Sequence, residues 1–290
     1  MINDNIRRLK AYYSFLKKSY RNQELEKLNA SAELLEKYAQ LRVSNQKEEF
    51  KAVEKRVHSQ NGEDGILLFI FSKIGLTNRV TIEFGVGNGT QCNSANLLQN
   101  FGFTGLFMEG NQNDVKTGKR IYELKGITGL TFINAFITAE NINDLITKAG
   151  FSGEIDLLNV DIDGNDYWVW KAINCVSPRV VVVEYNSSFG PEKAITVPYK
   201  PDFNRWDYHK SGWYHGASIS ALSKLAEEKG YDLVACDTSG VNAFFVRKDV
   251  NVFKKMSAQE AYYPEFKRLL KGGSFKDQLH ALEGLSFVEV

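Results

Sequence analysis

The stretch Ile82-Glu83-Phe84-Gly85-Val86-Gly87-Asn88-Gly89-Thr90 decides the reading of this chain, because an apolar strand runs directly into three alternating glycines. Glycine lacks a Cβ, so it tolerates the tight turn that follows a strand and lets backbone N–H groups approach a ligand closely. The spacing is G-x-G-x-G, whereas a dinucleotide pyrophosphate loop is spaced G-x-G-x-x-G. A nucleoside cofactor without a pyrophosphate fits the shorter spacing.

Outward from this loop, short apolar runs alternate with helical patterns. Strands are expected at Val80 to Phe84, Gly105 to Met108, Thr131 to Ala135, Ile155 to Val160 and Arg179 to Glu184. Helices are expected at Thr90 to Asn100, Val115 to Leu124, Asn141 to Ala149 and Trp168 to Ile173, and one opens after Ser59 and Asp64 and ends near Gly75. Such alternation predicts a largely parallel sheet covered on both faces. Beyond Glu184 comes a loop of about 30 residues, rich in Pro, Asn, Tyr and Trp, of the length that usually serves a function. A helix at Ser218 to Lys229 and a hairpin of Tyr231 to Cys236 with Asn242 to Val246 close the sheet.

Residues 1–56 contain no proline or glycine and carry apolar residues at helical spacing, including Leu25, Leu28, Leu34, Leu35, Tyr38 and Leu41. They read as a helical extension packed on the main domain rather than a coiled coil, because no heptad persists. A homodimer through these helices is the alternative. Residues 57–250 form the main domain, and residues 251–290 read as a helical segment packed against it.

Lys plus Arg number 36 and Asp plus Glu 35, so no overall field recruits nucleic acid or a membrane. Cys92, Cys175 and Cys236 form no C-x-x-C pair, which argues against a zinc site or a disulfide framework. The first residues lack the apolar core of a signal peptide, and no run approaches the roughly 18 apolar residues of a membrane span. The expectation is a cytoplasmic protein with a small-molecule acceptor.

In an open parallel sheet, ligands bind across the carboxyl ends of the strands. Glu83 sits just before the glycine loop, Glu109 ends the second strand and Asn134 ends the third. An acid about 20 residues past the loop can accept hydrogen bonds from both ribose hydroxyls. This set, with Gly85, Gly87 and Gly89, resembles the E-x-G-x-G-x-G loop and second-strand acid of the class I S-adenosylmethionine-dependent methyltransferases. The resemblance covers roughly Ser59 to Lys248 and implies an α/β, Rossmann-like fold with a seven-stranded sheet. It implies S-adenosylmethionine as cofactor, touched by Gln60, Glu83, Gly85, Gly87, Gly89, Thr90, Glu109, Asn111, Asn134 and Asp161.

Three stretches are similar to FkbM-type methyltransferases: Ser59-Gln60-Asn61-Gly62-Glu63-Asp64-Gly65, Asp161-Ile162-Asp163-Gly164, and Tyr214-His215-Gly216-Ala217-Ser218 through Gly240-Val241-Asn242-Ala243-Phe244-Phe245-Val246-Arg247. The family's D-x-E-G is D-x-D-G here, which shortens the reach of Asp163. That likeness implies O-methylation of a hydroxyl on a sugar or nucleotide-linked precursor of a surface polysaccharide. A phosphate-type or nitrogen acceptor would use the same cofactor pocket, and a non-catalytic binding module could keep the same fold.

Asp161 and Asp163 follow the fourth strand, and Glu184 and Asn186 the fifth, so oxygen ligands converge on adjacent strand ends. Asp161, Glu184 and Asn186 resemble the magnesium ligands of catechol-type and macrolide-sugar O-methyltransferases, which implies Mg²⁺ or Mn²⁺. Turn and cap roles explain the same Asp and Asn residues without a metal. In that case a base is needed, and His215 or His209, in or beside the loop that should cover the acceptor, is available; Asp161, Asp163 and His215 are the candidate catalytic residues. Trp206, Asp207, Tyr208, His209, Trp213 and Tyr214 suit a carbohydrate or nucleotide-linked acceptor. Lys200, Arg205 and Lys210 could meet its phosphate, whereas Trp168 and Trp170 read as packing. A nicotinamide dehydrogenase, the nearest rival, would need the longer glycine spacing.

Overall fold

The computed structural model describes residues 25, 26, 29 and 31–290. Much of the expected N-terminal extension, Leu28 included, lies outside them. Its described part is a helix over residues 31–40 (α1), then α2 at Gln46–Val53. Tyr38, Phe50 and Val53 are buried against the domain, as an amphipathic arm requires.

The remaining elements are α3 (Glu63–Ile74), β1 (Val80–Phe84), α4 (Ala95–Asn100), β2 (Thr104–Glu109), α5 (Gln112–Leu124), β3 (Leu130–Asn134), α6 (Ile142–Lys148), β4 (Gly153–Val160), α7 (Asp166–Ala172), β5 (Val176–Glu184), β6 (Ile195–Thr196), α8 (Ile219–Lys229), β7 (Tyr231–Cys236), β8 (Asn242–Arg247), α9 (Ala258–Ala261), α10 (Phe266–Gly272), α11 (Phe275–His280) and β9 (Val288–Glu289). A seven-stranded sheet runs in the order β3-β2-β1-β4-β5-β8-β7. β1 to β5 pair in parallel, and β8 is inserted antiparallel between β5 and β7.

Strand side chains alternate between faces, and the burial follows this period. Val181 and Val183 of β5 join one apolar cluster with Trp170 of α7 and Leu222 and Leu225 of α8. Val180 and Val182 join the other, with Ile66 to Phe71 of α3 and Leu97 and Leu98 of α4. Trp170 meets Phe245 at 5.0 Å between ring centroids, so its role is packing.

Two expectations are corrected. The helix expected from Thr90 begins only at Ala95, because the backbone of Asn93 and Ser94 is drawn inward to a buried carboxylate. The C-terminal segment is not uniformly helical: β9 pairs antiparallel with β6, which tethers the chain end to the long loop. Among the described residues no helix is long and apolar enough to cross a membrane.

Candidate active site

The switch in strand order falls between β1 and β4, so their carboxyl ends open a crevice. Gly85 has φ +66, and a Cβ there would collide with the carbonyl oxygen of Asp161. Only glycine therefore lets the loop after β1 lie against the end of β4. Gly87 and Gly89 also take positive φ, +54 and +74, which curls the loop over β2.

Glu83 is buried, and both its oxygens are occupied: Oε1 accepts from Asn93 N–H at 2.9 Å and Oε2 from Ser94 N–H at 2.7 Å. Burial raises its carboxyl to about 7, against the opposing pull of those donors. Beneath it, Asn159 donates to Ser94 Oγ at 3.1 Å, and Ser94 and Thr81 hydroxyls lie 2.6 Å apart. Glu83 thus fixes the shape of the loop from the wall of a cavity that Gly85 and Gly87 also line.

Glu109 ends β2 with Oε2 accepting from Gly87 N–H at 2.8 Å and Oε1 from Asn111 N–H at 2.7 Å. Asn134 donates to the carbonyls of Glu109 and Gly110 at 2.9 and 2.8 Å, bracing that turn. Asn111 caps α5 by accepting from Asn113 N–H at 2.9 Å. Asn134 and Asn111, expected at the cofactor, use Nδ2 and Oδ1 respectively on backbone, and neither lines the two cavities described below.

The loop before α3 wraps around two carboxylates. Asp64 accepts from the N–H groups of Val57, His58 and Ser59, at 2.8, 2.6 and 2.8 Å. Glu63 accepts from Asn61 and Gly62 N–H and from Asn242 Nδ2, each within 2.9 Å. Gln60 is left exposed between two adjoining cavities. One, of about 690 Å³, is lined by Gln60, Gly85, Glu109, Phe136, Asp161 and Glu184 among others. Its neighbour, of about 460 Å³, is lined by Gln60, Glu83, Gly85, Gly87, Thr90 and Asp161 among others.

The acceptor side is built from β4, β5 and residues far downstream. One carboxylate oxygen each from Asp161, Asp166 and Glu184 lie within 4.8 Å of one another. Asp166 accepts from Ile162 and Gly164 N–H at 2.8 and 3.0 Å, closing the turn after β4, and burial raises it to about 6. Burial first, then the charges of Asp166, Asp163 and Glu83, push Asp161 well above the usual carboxylate range, and burial, then Asp161, Asp166 and Asp163, do the same to Glu184. Oε2 of Glu184 is buried without a hydrogen-bond partner. Asp163 takes φ +57 and pairs with Arg205 at 2.7 Å at the cavity edge.

The expected roles of Asn186 and His215 do not survive this geometry. Asn186 Oδ1 accepts from Ser188 N–H at 3.0 Å and from Arg268 at 2.7 Å, and its Nδ2 donates to the carbonyls of Trp213 and His215. An amide oxygen already holding a guanidinium is not a cation ligand. His215 is buried, and its Nε2 lies 3.0 Å from Arg268 Nη2. Arginine can only donate, so Nε2 carries the lone pair and Nδ1 the proton, facing Glu184 Oε2 at 3.8 Å. Burial, then the Arg268 and Arg205 charges, hold His215 well below its ordinary value. With its lone pair taken it is no general base. His209 is 2.7 Å from Ser211 Oγ, clamps its own turn, and lines neither cavity.

From the long loop, Phe203 and Arg205 line the larger cavity, while Trp206 and Phe136 border an adjacent recess of about 410 Å³. Tyr214 is buried, and Lys200 pairs with Asp202 at 3.4 Å. The sequence reading missed Asp166 and the wall contributed by Glu265, Phe266, Lys267 and Arg268. Asp166 lies two residues beyond the quoted Asp161-Ile162-Asp163-Gly164; nothing in the helical pattern of the last 40 or so residues marked Arg268.

No family model matches the chain, and no curated protein matches it. Solved structures do show likeness. The N-terminal domain of EvdMO1 with S-adenosylhomocysteine bound aligns at TM-score 0.41 and 17% identity, over 65% of this chain and 80% of that one. Magnesium protoporphyrin IX methyltransferase of Synechocystis PCC 6803 with bound S-adenosylmethionine aligns at 0.40 and 11%, over 64% and 77%. A S-adenosylmethionine-dependent methyltransferase of Clostridium acetobutylicum ATCC 824 aligns at 0.41 and 11%, over 61% and 87%. The strand order, with one antiparallel strand beside β5, is itself that of the Rossmann-like class I methyltransferase fold.

Proposed function

We propose that this protein is an S-adenosylmethionine-dependent O-methyltransferase acting on a hydroxyl of a sugar or nucleotide-linked glycan precursor. The observation that carries the reading is the meeting of the glycine loop, Glu109 and the Asp161–Glu184 pair around one continuous crevice. S-Adenosylmethionine, when bound, supplies an electrophilic methyl group on a sulfonium. Glu109 lines the larger cavity and each of its oxygens keeps a second lone pair beside its backbone N–H bond, so it is the carboxylate placed for ribose hydroxyls, and Gly85 and Gly87 offer a surface without side chains along which the methionine part can lie. Gln60 supplies a free amide to that same stretch.

Asp161 and Glu184 are the carboxylates placed to take the hydroxyl proton. Burial and the charges of neighbouring carboxylates raise their proton affinity, and the ionised member of the pair takes the hydroxyl proton as the oxygen attacks the methyl carbon. The thioether then leaves neutral, and the acceptor ends as a methyl ether. Phe203 and Phe136 provide apolar faces for sugar C–H surfaces, and Arg205 a cation for an attached phosphate.

A second reading is favoured by the cluster of Asp161, Asp166 and Glu184 oxygens and the unpartnered Oε2 of Glu184. Those three suit Mg²⁺ or Mn²⁺, which needs only one or two carboxylates and water, whereas Asn186 does not. In that reading the carboxylates orient a cation that lowers the hydroxyl pKa. Calorimetric titration with S-adenosylhomocysteine and with NAD, then methyl-transfer assays on nucleotide sugars with and without EDTA, test both. Binding of NAD without S-adenosylhomocysteine overturns the proposal, and full turnover in EDTA removes the cation.

A further inference from the structure

α10 is turned inside out. Residues three and four apart share a helix face, so Phe266, Leu269 and Leu270 form one stripe. That stripe points to solvent, at 64%, 39% and 71% exposure. The opposite edge faces protein: Arg268 holds Asn186 and His215, and Gly272 lies so close to the Trp213 ring that a Cβ would overlap it. A helix on a water-facing surface normally does the reverse and buries its apolar stripe.

The stripe continues around the mouth of the site. Phe266 and Phe136 line the larger cavity, and Phe136 and Trp206 line the recess beside it; Phe136 and Trp206 are 64% and 59% exposed. The Trp206 ring lies over Gly212, next to the Trp213 that closes on Gly272, which joins the loop to α10. An acceptor in the cavity does not account for Leu269 and Leu270, because neither lines it. Lys267 and Lys271, one turn apart, are exposed along one edge of the stripe, and neither has a carboxylate partner among the described residues.

We propose that this rim seats the protein on an anionic phospholipid surface, with the mouth of the cavity facing the lipid. An apolar stripe bordered by unpaired lysines is the arrangement that enters a headgroup region and is attracted to negative lipid. The near-zero net charge of the whole chain does not oppose it, since the attraction falls off within a Debye length and depends on the local cations. The surface stands on these exposures alone; its consequence, that the acceptor is presented from the membrane, rests on the methyltransferase reading.

Cosedimentation with phosphatidylcholine vesicles, and with vesicles containing phosphatidylglycerol, tests the proposal. The full chain is expected to bind the anionic vesicles and to stay in solution with the neutral ones. Lys271→Gln should weaken binding roughly fivefold. Leu269→Ser with Leu270→Ser should weaken it roughly tenfold or more. S-Adenosylhomocysteine affinity, read by calorimetry on the same proteins, should not change, which shows that they are folded. Wild-type protein that ignores anionic vesicles overturns the proposal. So does a dimer that the double serine variant dissociates without any vesicle binding, since the stripe would then belong to a second copy. Vesicle binding with no affinity for S-adenosylhomocysteine would count against the methyltransferase reading alone.

Discussion

The two halves of the strand-end crevice are built in different ways. On the β1–β3 side, Glu83 and Glu109 sit at strand ends and spend their oxygens on backbone N–H groups of the glycine loop and its neighbours. On the β4–β5 side, Asp161, Asp166 and Glu184 crowd one another and are steadied from outside by His215 and by Arg268 of α10. The first half is a shaped cradle, with its charges largely satisfied. The second leaves Oε2 of Glu184 without a partner, among carboxyls whose proton affinity burial raises, a combination typical of reactive sites.

That contrast can be broken most severely at Asp161. Asp161→Asn should cut turnover about 10²- to 10⁴-fold while the dissociation constant for S-adenosylhomocysteine stays within about threefold. The wild-type rate should also fall as pH drops, with its acid limb above the ordinary carboxylate range, because Asp161 and Glu184 must ionise against burial and like charge. Equal loss of binding and turnover in Asp161→Asn would show that the halves are not separate.

Gly85 is the joint between them. Gly85→Ala introduces a Cβ at positive φ against the Asp161 carbonyl and should cost about 3 kcal/mol or more, read as a lower denaturation midpoint together with weak cofactor binding. Glu109→Ala acts on the cradle only. It should weaken S-adenosylhomocysteine about ten- to a hundredfold and leave turnover at saturating S-adenosylmethionine within a few fold. A fall in saturated turnover with unchanged affinity would reverse the assignment.

The smallest effect is on stability. Burial raises Glu83 and Asp237 to about 7, so both bind a proton more tightly in the folded chain than in the unfolded one. Their contribution is fully present below the unfolded carboxylate pKa and is lost as pH rises through about 7. The unliganded protein should therefore unfold about 5 °C lower at pH 8 than at pH 5.5. A Tm that rises over that interval would mean that neither acid is held protonated.

Much of the cradle was legible because its parts are local. A strand, a glycine loop and an acid at the end of the next strand keep their relation through sequence spacing alone, and the parallel order follows from the alternation of short apolar runs with helices. Asn111 and Asn134 misled because asparagine at a strand end serves a helix cap or a turn as readily as a ligand. The late start of α4 was hidden for a related reason: a buried Glu83 draws Asn93 and Ser94 inward, and no local pattern shows which carboxylate will be buried.

Periodicity and glycine spacing, carried in the chain itself, set the parallel sheet, its closing hairpin and the place of the crevice. Only the tertiary structure decided which polar groups in that crevice remain free. Asn186 and His215 lost their expected roles to one arginine in α10, and the apolar stripe of α10 faces water because its other edge is pinned to them. Hydrogen-bond valence is the physical reason: a side chain's chemistry depends on which donors reach it first, and those donors arrive from parts of the chain that sequence distance does not connect.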